Sequence, residues 1–317
     1  MLAPPLLVSY TSPEDYLIAL DPGLRRLHQS KIKRLLEQGL PPVVSSRCLG
    51  VLFGYSTKFI NAMAQQNWKY YRSFTIRKGK KKRKIQAPKV ALKVIQKWFG
   101  HHLSESLSFD DHVFGFVPGK SAPFAAKQHT NARWVYSVDI SNFFPSTPKD
   151  VISTTLVDIG YSEKAAKLMS GLLCHRDYLA QGSPASPILS NLVFRELDKQ
   201  LKEIAGNNRI RFTRYADDIV FSGVDQFPEN IKEQVNNLFA DSCWVLSKEK
   251  EYFSEIPKRL KVHGLLVHRD RPRLTKGYRN RIRAYKYLLE TGQIEKRDLS
   301  RIMGHLNYAK SIDTQEK

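Results

Sequence analysis

RFTRYADDIVFSG, residues 211–223, sets two adjacent aspartates, Asp217 and Asp218, between apolar residues on both sides. Ile219, Val220 and Phe221 follow them, and β-branched and aromatic residues in such a run read as buried strand. Carboxylates are seldom buried unless they are paired or hold a metal. An aspartate at a strand end is more often a cap or a turn residue, so this stretch acquires meaning only from what lies around it.

A third carboxylate stands upstream. VYSVDIS, residues 135–141, places Asp139 at the end of an apolar strand, as RYADDIV places Asp217 at a hairpin turn. Two neighbouring strands that bring carboxylates to one spot make a hard, oxygen-rich metal site. In-line phosphoryl displacement needs such a site, with two magnesium ions bridged by the carboxylates.

The whole chain fits a polyanion partner. It has 317 residues and a formal net charge of +21, with a pI near 9.8. That field attracts nucleic acid first and anionic membrane second. The 42% hydrophobic content supports a real core. No apolar run approaches the roughly 18 residues of a membrane span. The start, MLAPPLLVSY, has no basic n-region and is not read as a signal peptide. Cys48, Cys174 and Cys243 are scattered without CxxC spacing, which points to a reducing compartment, the cytoplasm, and to no zinc site.

There is no internal repeat or low-complexity linker. Residues 12–65 are helical in patches, and SPEDYLIAL (12–20) resembles a capped helix start. YYRSFTIRKGKKKRKIQAP (70–88) reads as a hairpin with SFTI and KIQA as strands and Gly79 in the turn. Helical spacing follows from Lys89, with Val90, Val94, Ile95 and Phe99 as its apolar positions, and again in residues 187–204 and in about 229–240. RWVYSVDISNFF (133–144) is strand-like up to its aspartate. Short strands are expected at WVLS (244–247) and KVHGLLV (261–267), and 276–311 reads as helical and basic. Strands interrupted by helices, without regular βαβ alternation, predict an α+β core with helical lobes.

The order of these stretches adds a resemblance. Asp139, then QGSPASPILSN (181–191), then YADD (215–218) resembles the palm motifs A, B and C of reverse transcriptases. The resemblance covers about residues 68–311. Within the family it is nearest to bacterial retron reverse transcriptases, on FTI, RKIQAP, DISNFFPS, QGSPASP, TRYADDI and the terminal MGHLNYAKSID. Two stretches differ from the retron pattern. AAKQH (125–129) keeps Ala126 and His129 but has Ala125 where that family usually has Asn, and VHG (262–264) has His263 where it usually has Thr.

The resemblance implies a right-hand polymerase fold with fingers, an antiparallel palm and a helical thumb. The division is 1–67 as an N-terminal helical region, 68–138 as fingers, 139–267 as palm with a fingers-side insert near 150–180, and 268–317 as thumb. It implies that Asp139 and Asp217 ligate two magnesium ions with the Ile140 carbonyl, and that Asp218 supports them. Tyr215 lies near the primer end. Phe144, fifth after Asp139, takes the place of a steric gate against a ribose 2′-OH; the alternative is a core aromatic beside Phe143. Gln181 and Gly182 line the incoming nucleotide, and Gly182 permits close backbone approach. Arg83 grips the triphosphate, while Lys78, Lys80, Lys81 and Lys82 steer nucleic acid or form a solvated patch. Lys250 neutralises or protonates the pyrophosphate, although nearby Lys248 leaves the register open. His129 and His263 mark recognition of the cognate RNA. Seven Arg or Lys between Arg271 and Lys286, with Tyr278 and Tyr285 interleaved, suit nucleic-acid contact. Arg279, Arg281 and Arg283 are the candidate RNA contacts there.

By this resemblance the chain copies a cognate structured non-coding RNA into single-stranded DNA. It uses dNTPs, primes from a 2′-OH of that RNA, and acts in antiphage defence with a separate effector protein. Two alternatives stand beside it: a non-catalytic RNA-binding scaffold, and a non-retron defence reverse transcriptase. The intact Asp139, Asp217 and Asp218 set argues against the scaffold.

Overall fold

The computed structural model describes residues 4–79 and 81–313. Lys80, one of the expected steering lysines, lies outside the described residues. Four helices open the chain: α1 (Pro13–Ala19), α2 (Pro22–Glu37), α3 (Ser46–Phe53) and α4 (Thr57–Gln65). Each starts at a side chain that accepts an otherwise orphaned backbone N–H: Ser12, Asp21, Ser45 and Ser56. The basic hairpin follows as β1 (Tyr71–Lys78) and β2 (Lys81–Pro88), antiparallel with Phe74 opposite Ile85 and Ile76 opposite Arg83.

Helix α5 (Val90–Ser106) then buries Leu92, Ile95, Trp98, Phe99 and Leu103, spaced three and four apart on one face. Of the apolar positions expected there, Ile95 and Phe99 are buried but Val90 and Val94 lie on the exposed side. After α6 (Ala122–Lys127) comes β3 (Trp134–Asp139), then α7 (Lys149–Asp158), α8 (Glu163–Leu173) and the long α9 (Ser186–Asn207). The hairpin of the two aspartates is β4 (Arg211–Tyr215) and β5 (Asp218–Gly223). It is followed by α10 (Ile231–Ala240), β6 (Tyr252–Glu255), three short strands β7 (Lys261–Val262), β8 (Leu265–Leu266) and β9 (Arg273–Leu274), and helices α11 (Lys276–Glu290) and α12 (Lys296–Asp313).

The central sheet has the order β4-β5-β3-β6, antiparallel throughout. Strands β3, β4 and β5 are buried on both faces, while the edge strand β6 is largely exposed, and the alternation of side chains assigns each face its own core. Trp134, Tyr136, Ile219 and Phe221 pack with Phe194 of α9 and Val235 and Phe239 of α10. Val135 and Val220 point the other way, to Val262, Leu265, Leu274, Ile282 and Ile312. Each large apolar side chain so enclosed stabilises the sheet by about 1.5–3 kcal/mol. A separate core unites α1 to α5 with α7, α8 and the start of α9 around Tyr16, Leu49, Trp98 and Met169. Covered on both faces, the sheet cannot shift its register without turning one set of side chains out of its core.

The α+β architecture is as expected, with local departures. WVLS forms only an isolated antiparallel bridge, Ile140 to Leu246, flanked by bonds from Ser141 N–H to the Val245 carbonyl and from Ser247 N–H to the Asp139 carbonyl, both at 2.8 Å. The full strand beside β3 on that edge is β6. KVHGLLV folds back on itself as β7 and β8, with His263 and Gly264 at the turn. The expected division between 138 and 139 falls inside β3. Among the described residues no helix is long and apolar enough to cross a membrane.

Candidate active site

The register of the central sheet brings the three carboxylates together. Asp139, last in β3, lies directly opposite Asp218, first in β5. Tyr215 pairs with Asp218 and leaves only Ala216 and Asp217 in the turn. The Ile140 N–H donates to the Asp217 carbonyl at 2.9 Å. In extended backbone a residue's C=O points to the same side as its N–H, so the Ile140 carbonyl also faces this turn.

The turn is held from below by a buried ion pair. Arg214, 0% exposed, donates to both oxygens of Asp198 on α9 at 2.6 Å, to Asn191 Oδ1 at 3.0 Å and to the Ala216 carbonyl at 3.1 Å. Its guanidinium lies 4.5 Å from the centre of the Phe194 ring. From the side, the loop 112–116 runs against β4. Arg214 N–H donates to the His112 carbonyl and Phe114 N–H donates to the Arg214 carbonyl, both at 2.8 Å. Gly115 has to be glycine: an added Cβ would sit 2.1 Å from the Ala216 nitrogen. Ala216 itself has φ +58°.

Each outer carboxylate has a partner. Lys250 donates to Asp139 Oδ1, and His263 Nδ1 bonds Asp218 Oδ2 at 3.0 Å. Burial pushes the Asp139 carboxyl up, the Lys250 hydrogen bond opposes this, and the charges of Asp217 and Asp218 reinforce it. Asp217 is half-buried, and among the described residues no hydrogen bond or ion pair reaches its carboxylate. No three His, Cys, Asp or Glu side chains among the described residues form a ready metal cage. The donor set nonetheless suits a hard divalent cation: three carboxylates within electrostatic reach of one another, a backbone carbonyl on the same side, and mutual repulsion that a cation relieves. Asp139, Asp217 and Asp218, with Ile140, are the residues that would hold it.

The QGSP turn sits beside the basic hairpin. Gln86 N–H donates to the Gln181 carbonyl at 2.9 Å. At Gly182, with φ +135°, a Cβ would stand 2.7 Å from the Gln86 carbonyl and 2.9 Å from an Ile85 methyl. Ile85 therefore faces Gly182, and Arg83, two residues earlier, lies exposed on that same strand face. Ser183 donates to Gln96 Oε1 at 2.8 Å, and Gln96 donates to Tyr71 and to the Leu172 carbonyl at 2.7 Å. Phe144 is half-buried, with ring centres 5.6 Å from Phe143 and 5.9 Å from Phe116. It is both a packing residue and a partly open one.

Other expected contacts fall differently. His129 does not face RNA: it is 0% exposed, and its ring nitrogens bond Ser222 Oγ and Thr213 Oγ1 at 2.7 Å each. Burial pushes its pKa down to about 3. His263 likewise turns inward, its side chain 6% exposed, with its ring centre 5.2 Å from that of Tyr215. Both histidines therefore support the carboxylate hairpin from within the protein. Arg279 and Arg283, one turn apart, line a groove of about 740 Å³ with Arg271, Arg273 and Lys286. Arg281 lies on another side of α11, 5.9 Å from the Tyr278 ring. Lys250, not Lys248, is the lysine at Asp139.

Sequence reasoning missed Gly115, Arg214, Asp198 and Asn191. A glycine between two phenylalanines, in HVFGFVPG (112–119), was the available signal for the first. Nothing local marks Asp198, twelve residues after the start of α9.

An antiparallel sheet that presents adjacent carboxylates at one hairpin, in a strongly basic α+β chain, defines a nucleotidyl-transfer protein of the right-hand polymerase type. The chain belongs to the reverse transcriptase (RNA-dependent DNA polymerase) family, whose match spans residues 76–269. The family's activity is RNA-directed DNA synthesis, and its members use divalent metal ions. The chain is 26% identical over 251 residues to the retron Ec86 reverse transcriptase of Escherichia coli, covering 77% of each. It is 26% identical over 288 residues to the retron Mx65 reverse transcriptase of Myxococcus xanthus, covering 84% of this chain and 67% of that one. A Candida albicans telomerase solved with a fragment of telomeric RNA matches at 11% identity and a TM-score of 0.44, over 82% of this chain and 59% of that chain.

Proposed function

We propose that the chain is a retron-type RNA-directed DNA polymerase that copies a structured non-coding RNA into single-stranded DNA. The observation that carries this reading is the register of the central sheet, which sets Asp139 opposite Asp218 with Asp217 in the adjoining turn. Two magnesium ions at this cluster would supply an activated primer hydroxyl and charge neutralisation at the leaving pyrophosphate. The residues divide the remaining work. Asp139 and Asp217 bind the cations, and Asp218 supports them under the hold of His263. Arg83, on the strand face turned to Gly182, takes the triphosphate. Phe144 excludes a ribose 2′-OH, and Tyr215 adjoins the primer end. Arg279 and Arg283 contact RNA phosphates from one side of α11 and Arg281 from another.

In this reading 68–138 act as fingers, 139–267 as palm and 268–317 as thumb. The chain is similar to retron reverse transcriptases, and with the retron reading go priming from a 2′-OH of the template RNA, a DNA product joined to that RNA, a separate effector protein and a role in antiphage defence. The thiols of Cys48, Cys174 and Cys243 are free, which suits the cytoplasm. The test is to purify the chain with its copurifying nucleic acid and sequence it before and after debranching. A branched RNA–DNA species is expected. DNA synthesis on generic RNA with no branched product would move the chain to a non-retron defence enzyme, and no synthesis would favour an RNA-binding scaffold.

A further inference from the structure

The carboxylate cluster is bracketed by two donors of different character. His263 is almost wholly enclosed, its side chain 6% exposed, and its bond to Asp218 is fixed by the surrounding core. Lys250 is the opposite: its side chain is 47% exposed, yet its foot is tied down. Ser247 N–H donates to the Asp139 carbonyl at 2.8 Å, and Lys250 N–H donates to the Ser247 carbonyl at 3.0 Å. The backbone thus holds the root of Lys250 beside Asp139 while the four-carbon stem remains free to swing. A cation at the cluster would need Asp139 and the unpartnered Asp217. It could not share Asp139 Oδ1 with an ammonium ion, which uses the same lone pairs and repels it. The Asp139 side chain is 19% exposed against 47% for Lys250, so the pair opens to solvent on the lysine side, where the ammonium can be rehydrated as it leaves.

We propose that Lys250 is a displaceable counter-cation of the active site: its ammonium group neutralises Asp139 in the metal-free protein and leaves it when a divalent ion binds. The proposal rests on the reading of the carboxylates as a metal site. It assigns Lys250 a function before any nucleotide is present, namely to hold the repelling carboxylates together and set the concentration at which metal enters. His263 keeps its oxygen of Asp218 in both states. The exchange is therefore confined to Asp139, and Asp218 has one oxygen to offer.

The experiment is Mn²⁺ binding to the full chain, free of nucleic acid and nucleotide, measured by calorimetry and by the loss of the free-ion electron paramagnetic resonance signal. Lys250→Gln removes the competing charge and is expected to bind Mn²⁺ about two- to tenfold more tightly than the natural chain. Lys250→Arg keeps the charge and is expected to bind no more tightly than the natural chain. Near-ultraviolet circular dichroism shows that each variant is folded. Equal or weaker binding by folded Lys250→Gln overturns the counter-cation, and leaves the metal site standing if Asp217→Asn abolishes binding in the same assay. Mn²⁺ binding that survives Asp217→Asn undiminished overturns the metal site itself.

Discussion

Arg214 and Asp198 form a fully buried pair beneath the turn that carries Asp217, and the two can be removed one at a time or together. Leu at position 198 leaves a guanidinium 0% exposed with no counter-charge, and Leu at 214 leaves a carboxylate in the same condition. Either single change should cost about 3–5 kcal/mol, because an uncompensated charge stays in the interior. The double variant removes both charges and fills the space with apolar volume. Its loss should therefore be smaller than either single loss, with a coupling energy of about 3 kcal/mol or more. Equilibrium unfolding in urea, followed by far-ultraviolet circular dichroism, measures all four proteins. The same double variant separates fold from site. Arg214 also donates to the Ala216 carbonyl at 3.1 Å, and leucine cannot, so the rescued protein should remain a poor polymerase. Single losses below about 1 kcal/mol, or losses that simply add, would refute the claim that this pair organises the hairpin.

Three further outcomes follow from the geometry. Phe144→Val, by opening space beside Phe116 and Phe143, should raise ribonucleotide incorporation relative to deoxynucleotide; competitive incorporation on an RNA template checks it, and unchanged discrimination makes Phe144 only a core aromatic. His129 has its pKa lowered from 6.5 to about 3 by burial. The unfolded chain therefore takes up a proton in that window while the folded chain does not, and stability is lost as pH falls below about 6.5. His129→Gln should flatten the dependence of unfolding free energy on pH between 5 and 6 by up to about 1.4 kcal/mol per pH unit. Neutralising Arg279 and Arg283 together should reduce the slope of log affinity for RNA against log salt by roughly two units, and Arg281 alone by roughly one, in titrations over a salt series.

The features legible in the sequence were those written in local pattern. The capped start of α1, the helical pattern of α9, part of the apolar stripe of α5 and the strand character of β3 could be read, as could Asp139 from the strand it ends and Asp217 from its hairpin turn. Pairings that join distant segments could not. Nothing beside Arg214 announces Asp198, and nothing beside Gly115 announces the backbone of Ala216; each contact exists only once the sheet is assembled. His129 and His263 misled for a related reason. A histidine in a motif reads equally as a ligand contact or as a core donor, and only burial decides. WVLS has strand composition yet forms one bridge, because tertiary placement overrides a short β-favouring run.

The most direct measurement of the central claim is primer extension on an RNA template with purified Asp217→Asn protein, beside RNA binding by the same preparation. The amide keeps the shape of the side chain and loses the charge that would hold a divalent ion. The account predicts that DNA synthesis is abolished while RNA affinity is retained. Extension at near the natural rate by the Asp217→Asn chain would contradict it.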